Sequence, residues 1–403
     1  MLKLRSRSPH GVTRQLRTYL LASLLALVPT AAWGGAAGAA STEHALSSTS
    51  KNCAVTIALF GPFTGSTADY GKYLKESFQL ALLSFPAAKL HCKVSTQIFD
   101  TKGTTSLTPP LATAAAQNPH IVAVLGPTFS GPTQAAGPIF NAARLPMITG
   151  VASEISLAQH GWKIFHRTIE SDAVDGAGDA LYMAKYMRIH SVALVNNGEA
   201  YGKGIEQIVQ QALAKYGVKE PVNISITPTA SDYSAQALQI KGANVGAIYC
   251  GCLAPEAARL LKAVRGAGVT APFVGPAGIE TTGFLSTAGS TANGVIATAA
   301  TPDPAVSPSI RKLDSRFKEV FHQAPAAGFF VPQWYDAATA ILMAIAAGKV
   351  SRTAINNFLG KVNFQGASGR IHFTKQGNVV GTAESIFKVE NGKFVFLRQI
   401  TVH

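Results

Sequence analysis

Charge is scarce in this chain. Asp, Glu, Lys and Arg make up 14% of its 403 residues, against about a quarter in typical soluble domains, so with Ala and Gly abundant we expect tightly packed helices and turns rather than disorder. No Lys/Arg-rich tract is interleaved with aromatics, which argues against a nucleic-acid partner. The apolar run Leu20 to Val28 is far short of the roughly 20 residues of a membrane span. No G-x-S-x-G elbow is present to mark a hydrolase serine. Gly61-x-x-x-Gly65 followed by Asp100 lacks the G-x-G-x-x-G spacing of a dinucleotide site. His166, His190, His322 and His372 are scattered without metal spacing, and Asp69, Glu76, Asp172, Asp175 and Asp179 read as solvated or helix-end charges rather than paired catalytic carboxylates. We therefore expect no enzyme, cofactor or metal, an exported α/β enzyme being the remote alternative.

What is present begins with a basic, acid-free leader. Lys3, Arg5, Arg7, Arg14 and Arg17 precede the apolar stretch Leu20 to Val28, and Ala37-Gly38-Ala39 offers a small-residue cleavage site. Residues 1–39 thus read as a secretory signal peptide and predict a soluble periplasmic protein. No Cys at the cleavage site suggests a lipid anchor, and no Arg-Arg pair suggests twin-arginine export. Cleavage lowers the formal charge from +14 to +9 and leaves about 360 residues, enough for two domains.

Four cysteines would then meet an oxidising compartment. Cys53 lies four residues before Ile57 and Cys92 four before Thr96, so two parallel neighbouring strands in matched register would bring the sulfurs level. A Cys53–Cys92 disulfide is expected, two free buried thiols being the alternative. Cys250 and Cys252 lack further ligands at zinc-finger spacing. Both an i,i+2 bridge and two small strand-end packers remain open for them.

Strand-like and helical runs alternate along the mature chain. Strands are predicted at Val55 to Phe60, Val94 to Phe99, Ile121 to Leu125, Pro146 to Thr149, Ser191 to Val195, Ala247 to Tyr249 and Pro272 to Val274. Helical periodicity marks Tyr73 to Phe85, Asp175 to Met187, Gly204 to Tyr216, Pro255 to Gly266 and Ile310 to His322. Such βα alternation predicts a doubly wound α/β fold with parallel sheets flanked by helices. The pattern restarts at Ile189, which suggests a second sheet, and Asn391-Gly392 inside Ser385 to Ile400 is a strong hairpin signal. The apolar helix Ala337 to Ala347 suits a core, with a dimer surface as the alternative.

In an open α/β sheet, ligands sit beyond the carboxyl ends of the strands. That rule selects the loops Thr64 to Tyr70, Gly126 to Thr133, Thr149 to Glu154 and Asn197 to Tyr201. Ser130 and Ser153 could bind an anionic or carbonyl oxygen, or could be ordinary helix caps. Glu154 could be a ligand group or a first-turn acid. Tyr70 and Tyr201 each precede a Gly in a polar turn, exposed aromatic positions suited to a pocket wall.

Seven segments in order, IALFGPFTGSTADYG, IFDTKG, VAVLGPTFSGPTQAAGPIFNAARLPMITGVAS, NNGEAYGKG, FVGPAG, QWYDAATAILMAI and GRIHFTKQGN, resemble the type I periplasmic binding proteins. The similarity is strongest to the leucine/isoleucine/valine-binding branch and spans Val55 to Phe396. It implies two Rossmann-like lobes joined by a three-crossover hinge, with the ligand in the interlobe cleft. The crossings are expected near Thr168 to Ser171, Ala297 to Thr301 and Ser368 to His372. The N-terminal lobe would comprise 52–169 plus 300–369 and the C-terminal lobe 170–299 plus 370–403.

The resemblance also implies a monomeric receptor that delivers a small-molecule ligand, an amino acid or related acid or amide, to a membrane ABC permease. By motif, Ser130 matches the serine that binds the ligand carboxylate, with Thr128 and Phe129 beside it, and Val151 and Ser153 match positions that hold the amino-acid head. Tyr70 and Tyr201 match lid aromatics and Phe330 a side-chain wall. Two positions depart from the pattern. Ala277 stands where an acid pairs with the ligand ammonium, and Leu253 stands where a tyrosine is expected. Either Glu154 or Glu280 replaces the acid, or the ligand carries no ammonium; a sensor of ammonium-free aliphatic or aromatic acids is the alternative function.

Overall fold

The computed structural model describes residues 53–402 except 91, 300–305, 324, 326–329 and 382, so the leader read at 1–39 lies outside the described residues. Strands β1 (Ala54–Gly61), β2 (Lys93–Asp100), β3 (Ile121–Leu125), β4 (Met147–Thr149) and β5 (Phe165–Arg167) form an all-parallel sheet in the order β2-β1-β3-β4-β5. Strands β6 (Ser191–Asn196), β7 (Lys219–Ser225), β8 (Ala247–Gly251), β9 (Phe273–Gly275) and β10 (Ile296–Ala299) form a second parallel set. A short pair, β11 (Asn363–Gln365) and β12 (Arg370–His372), follows. The chain closes with β13 (Ala383–Glu390) and β14 (Lys393–Thr401), which extend the second sheet to the order β14-β13-β10-β9-β8-β6-β7.

The strands follow their composition. β3 and β8 are buried at every position, as continuous apolar runs in parallel sheets are. Lys219–Ser225 was not foreseen as a strand because it carries Pro221; it lies at the sheet edge, where a missing N–H is tolerated. The terminal hairpin turns through Asn391 and Gly392, both at positive φ, as a tight two-residue turn requires.

Helices lie between successive strands. Ala68–Leu83 follows β1 and Ser130–Ala142 follows β3, while Ala200–Lys215 follows β6 and Ala254–Gly266 follows β8. Several begin earlier than their periodicity suggested, because polar first turns carry no apolar stripe. Helix Val331–Ala346 is buried on most of its circumference and packs on Ala68–Leu83; the face weighed as a dimer surface is core. Among the described residues no helix is long and apolar enough to cross a membrane.

After β5 the chain passes through Thr168 to Ser171 into helix Asp172–Leu181, which packs on Ala200–Lys215 beside the second sheet. After β10 the next described helix, Pro308–Phe321, lies on the first sheet's side, with Phe317 stacked 6.1 Å from Tyr73. The third passage falls later than expected. Ile371 and Phe373 are buried in the core around the first sheet, the Arg167 N–H donates to the Gly377 carbonyl, and the Val379 N–H donates to the Arg167 carbonyl. Residues 370–379 therefore stay with β5, and the chain crosses between Val379 and β13, because Ile371 and Phe373 supply apolar surface that the first core buries.

Both cysteine pairs are disulfide-bonded. Cys53 and Cys92 flank the level pair Ala54 and Lys93 of β1 and β2, and Cys250 is joined to Cys252 at the end of β8.

Candidate functional site

The carboxyl ends of β1, β3, β6, β8 and β9 converge on one pocket, at the points where strand order reverses in each sheet. From the first sheet's side it is lined by Tyr70, Phe129, Ser130, Val151, Ser153 and Phe330, and from the second by Tyr201, Leu253 and Ala277. Gly103, Thr105, Gly131, Pro132, Ile169, Asp175, Asn197, Glu199 and Gly278 complete it.

On the first side, the chain leaves β3 through Gly126, whose φ of +122° and close approach to the Phe60 carbonyl admit no side chain. Ser130 opens helix Ser130–Ala142, with Phe129 at the N-cap and no side-chain cap. Ser130 is thus not the cap itself, and the first-turn amides have no intrahelical acceptors. Its Oγ accepts from the Glu154 N–H at 3.3 Å, which leaves its own proton for another acceptor. Thr149 joins the two loops: its Oγ1 donates to the Pro127 carbonyl at 2.8 Å and accepts from the Val151 and Ala152 amides. Arg167, fully buried, donates to the Ser153 and Glu154 carbonyls at 2.6 and 2.9 Å and to Asn378 Oδ1 at 2.8 Å. It fixes the Val151 to Glu154 loop from behind.

Tyr70 is not the exposed turn residue its polar context suggested. It lies in the first turn of Ala68–Leu83 with 2% of its surface exposed, edge-on to Phe129 at 5.0 Å and stacked with Phe330 at 6.5 Å. Burial holds its hydroxyl un-ionised, and that hydroxyl donates to the Gly278 carbonyl, on the second side, at 3.3 Å. A second hydrogen bond across the cleft runs from Thr105 Oγ1 to Glu199 Oε2 at 3.4 Å. Phe330 holds a left-handed backbone, φ 56°, at the start of Val331–Ala346, a conformation bulky residues rarely adopt.

On the second side, buried Glu256 ties two loops together by accepting at Oε1 from Asn197 Nδ2 and from the Leu253 N–H, both at 2.9 Å. Beneath Ala277 lie the acids read from sequence as solvated. Asp172, Asp175 and Asp179 are buried, joined by Glu384 from β13. Their spacing of three and four put them on one helix face; what sequence could not show is that this face is packed against the second sheet. Asp175 Oδ1 accepts from Thr298 Oγ1 at 3.2 Å, and Asp179 Oδ2 accepts from the Tyr249 hydroxyl at 2.7 Å. Burial pushes Asp172 up to about 8. Burial also pushes Asp175 up, against the Glu384 carboxyl, the Thr298 hydroxyl and the Ala277 amide beside it, and lifts Asp179 and Glu384 well above the carboxylate range.

Three residues considered for the site, Thr128, Glu154 and Glu280, stand outside the lining. Thr128 is buried with its hydroxyl against Gly61. Glu154 is committed to capping the turn Ile155–Ala158, where its carboxylate accepts from the Ser156 N–H and hydroxyl. Glu280 is buried outside the pocket, and Trp334 is fully buried under Gly150. Among the described residues no His, Cys, Asp and Glu group is arranged to hold a metal.

Comparison with known proteins agrees with this architecture. The chain is 28% identical over 334 residues to a leucine-, isoleucine-, valine-, threonine- and alanine-binding protein of Pseudomonas aeruginosa, covering 81% of this chain and 87% of that one. Its fold resembles a leucine binding protein from Thermotoga maritima (TM-score 0.80, 24% identity, 86% and 99% of the two chains). It likewise resembles a solute binding protein of an ABC transporter from R. palustris in complex with benzoate (TM-score 0.79, 18% identity, 87% and 97%). The family model described as periplasmic binding protein matches residues 54–393. The chain belongs to the type I periplasmic binding proteins, in their leucine/isoleucine/valine-binding branch.

Proposed function

We propose that this protein is the extracytoplasmic receptor of an ABC importer, and that it captures an amino acid or a related small carboxylate between its lobes. The observation that carries the reading is the pocket's composition from both sheets, with Tyr70 of one side hydrogen-bonded to Gly278 of the other. A ligand there touches both lobes and so favours the closed arrangement over the open one. In this reading Ser130 and the first-turn amides receive the carboxylate, Val151 and Ser153 hold the head, and Tyr70, Phe129, Phe330 and Leu253 wall the body. Thr128 supports the loop from behind, and Glu154 and Glu280 act outside the pocket. The lobes are those of the two sheets, with the third crossing beyond Val379.

The protein works by binding rather than turnover, as a monomer presented to a membrane permease after removal of residues 1–39. A second reading, an ammonium-free aromatic acid, draws on the aromatic walls and on the benzoate held by the R. palustris protein. The test is a thermal-shift screen of refolded, ligand-stripped protein against amino acids, aliphatic and aromatic acids and small amides. A ligand at 100 times its Kd stabilises by about 2.7 kcal/mol, a shift of a few degrees at this size. No shift with any member of the panel would overturn the reading, and intact mass of the exported protein tests cleavage after Ala39.

A further inference from the structure

The position that matches the family's ammonium-binding acid is Ala277, yet the pocket is not without a carboxylate. Asp175, in the first turn of helix Asp172–Leu181, lines the same pocket as Ala277. Its Oδ1 is held by Thr298 Oγ1 at 3.2 Å, and the Ala277 amide lies beside it. The side chain thus comes from a different element but reaches the neighbourhood of the missing acid.

The groups held against Asp175 itself, the Glu384 carboxyl, the Thr298 hydroxyl and the Ala277 amide, include no cation. The partners these carboxyls have are neutral: Asp172 lies beside the Ser153 side chain, Asp179 beside the Tyr249 and Thr298 hydroxyls, and Glu384 beside the Asp175 carboxyl. The ion pairs Arg316 with Glu319 and Lys388 with Glu390 lie on the surface. The nearby cation, Arg167, directs its guanidinium to the Ser153 and Glu154 carbonyls and Asn378. Buried charges are ordinarily paired, and of the four buried carboxyls on the pocket's second side only Asp172 has a cation, Arg167, near enough to act on it. A positive group placed in the pocket beside Asp175 would complete the set.

We infer that Asp175 is the counter-ion for a ligand ammonium, replacing the acid absent at Ala277, so that the site selects α-amino acids over ammonium-free acids of the same skeleton. This rests on the receptor reading above and names its ligand class. Opposite it, Ser130 receives the carboxylate, and the two groups of an amino-acid head are held from different sheets.

The experiment is calorimetric titration of ligand-stripped wild type, Asp175→Asn, and Asp175→Asn combined with Ala277→Glu. Each is titrated with the protein amino acids and, for each, the corresponding acid without its amino group, leucine against 4-methylpentanoate among them. The expected result is binding of one or more amino acids at least about 100-fold tighter than their ammonium-free partners. Asp175→Asn should lose most of that preference, with the ligand-free melting temperature unchanged or raised because a buried carboxyl has gone. The second change, restoring an acid at 277, should recover at least about tenfold. Equal or tighter binding of the ammonium-free acids, or an unchanged preference in Asp175→Asn, overturns the inference and leaves the receptor reading standing. Binding of neither class overturns both.

Discussion

Of the helix N-termini around this pocket, the sequence makes two chemical opposites. Ser130–Ala142 opens with Ser, Gly and Pro and has no acid in its first turn, so its partial positive charge and free amides face the pocket unneutralised. Asp172–Leu181 opens with Asp172 and Asp175, acids that oppose the same dipole once they ionise. The lesson is that a shared backbone feature does not set the sign of a site. The first-turn side chains do, and under the proposed function they give one side suited to an anion and one suited to a cation.

Erasing that opposition should have the largest effect. Ser130→Asp makes both sides acidic and should weaken the tightest-binding amino acid by about a thousandfold or more, since opposed like charges cost several kcal/mol; calorimetry reads the loss. Ser130→Ala keeps the helix terminus and removes only the hydroxyl. About a 10- to 100-fold loss is expected, the worth of a hydrogen bond to a charged group. A change under twofold would mean that the amides alone hold the carboxylate.

The acidic side should also show itself without ligand. Asp172, pushed up to about 8, and Glu170, to about 7, keep protons in the folded chain that they release on unfolding. Stability conferred by such groups is lost as pH rises through the interval between the unfolded and folded values. His166, pushed down to about 4 by burial, acts oppositely but only below its unfolded value near 6.5. Between pH 6.5 and 8 stability should therefore fall, by about 1.4 kcal/mol per unit for each group still holding its extra proton. Urea midpoints across that interval check it, and Asp172→Asn should flatten the slope; a midpoint rising with pH would contradict the buried acids.

The two sides also differ in how far they could be read from sequence. The first side was legible because its chemistry sits in loops directly after apolar strands: Gly126 to Ser130 and Val151 to Ser153 follow β3 and β4. The second was only partly so. Tyr201 and Leu253 follow strands in the same way, but Asp175 sits on a helix, where an acid in the first turn is an ordinary dipole partner. Only the packing of that helix against the second sheet separates the two meanings, and packing between elements distant in sequence leaves no local mark. The parallel sheets were legible from continuous apolar runs. Short strands such as Phe165–Arg167 depend on pairing with a neighbour, Met147–Thr149, that is itself too short to mark, and the return of Ile371 and Phe373 to the first core depends on elements far earlier in the chain.

The smallest effect sharpens where the sides meet. Tyr70→Phe keeps the ring between Phe129 and Phe330 and removes only the hydroxyl that donates to the Gly278 carbonyl. A neutral hydrogen bond contributes about 0.5 to 1.5 kcal/mol net, so affinity should fall by about 2- to 10-fold. Because the bond spans the cleft, parting the two sides would break it, and its loss should appear as faster ligand dissociation with association unchanged. Stopped-flow displacement separates the rates. A slowed association with unchanged dissociation would assign Tyr70 to shaping the open first side, whereas a faster dissociation makes its hydroxyl the latch that lets two oppositely charged sides act on one ligand.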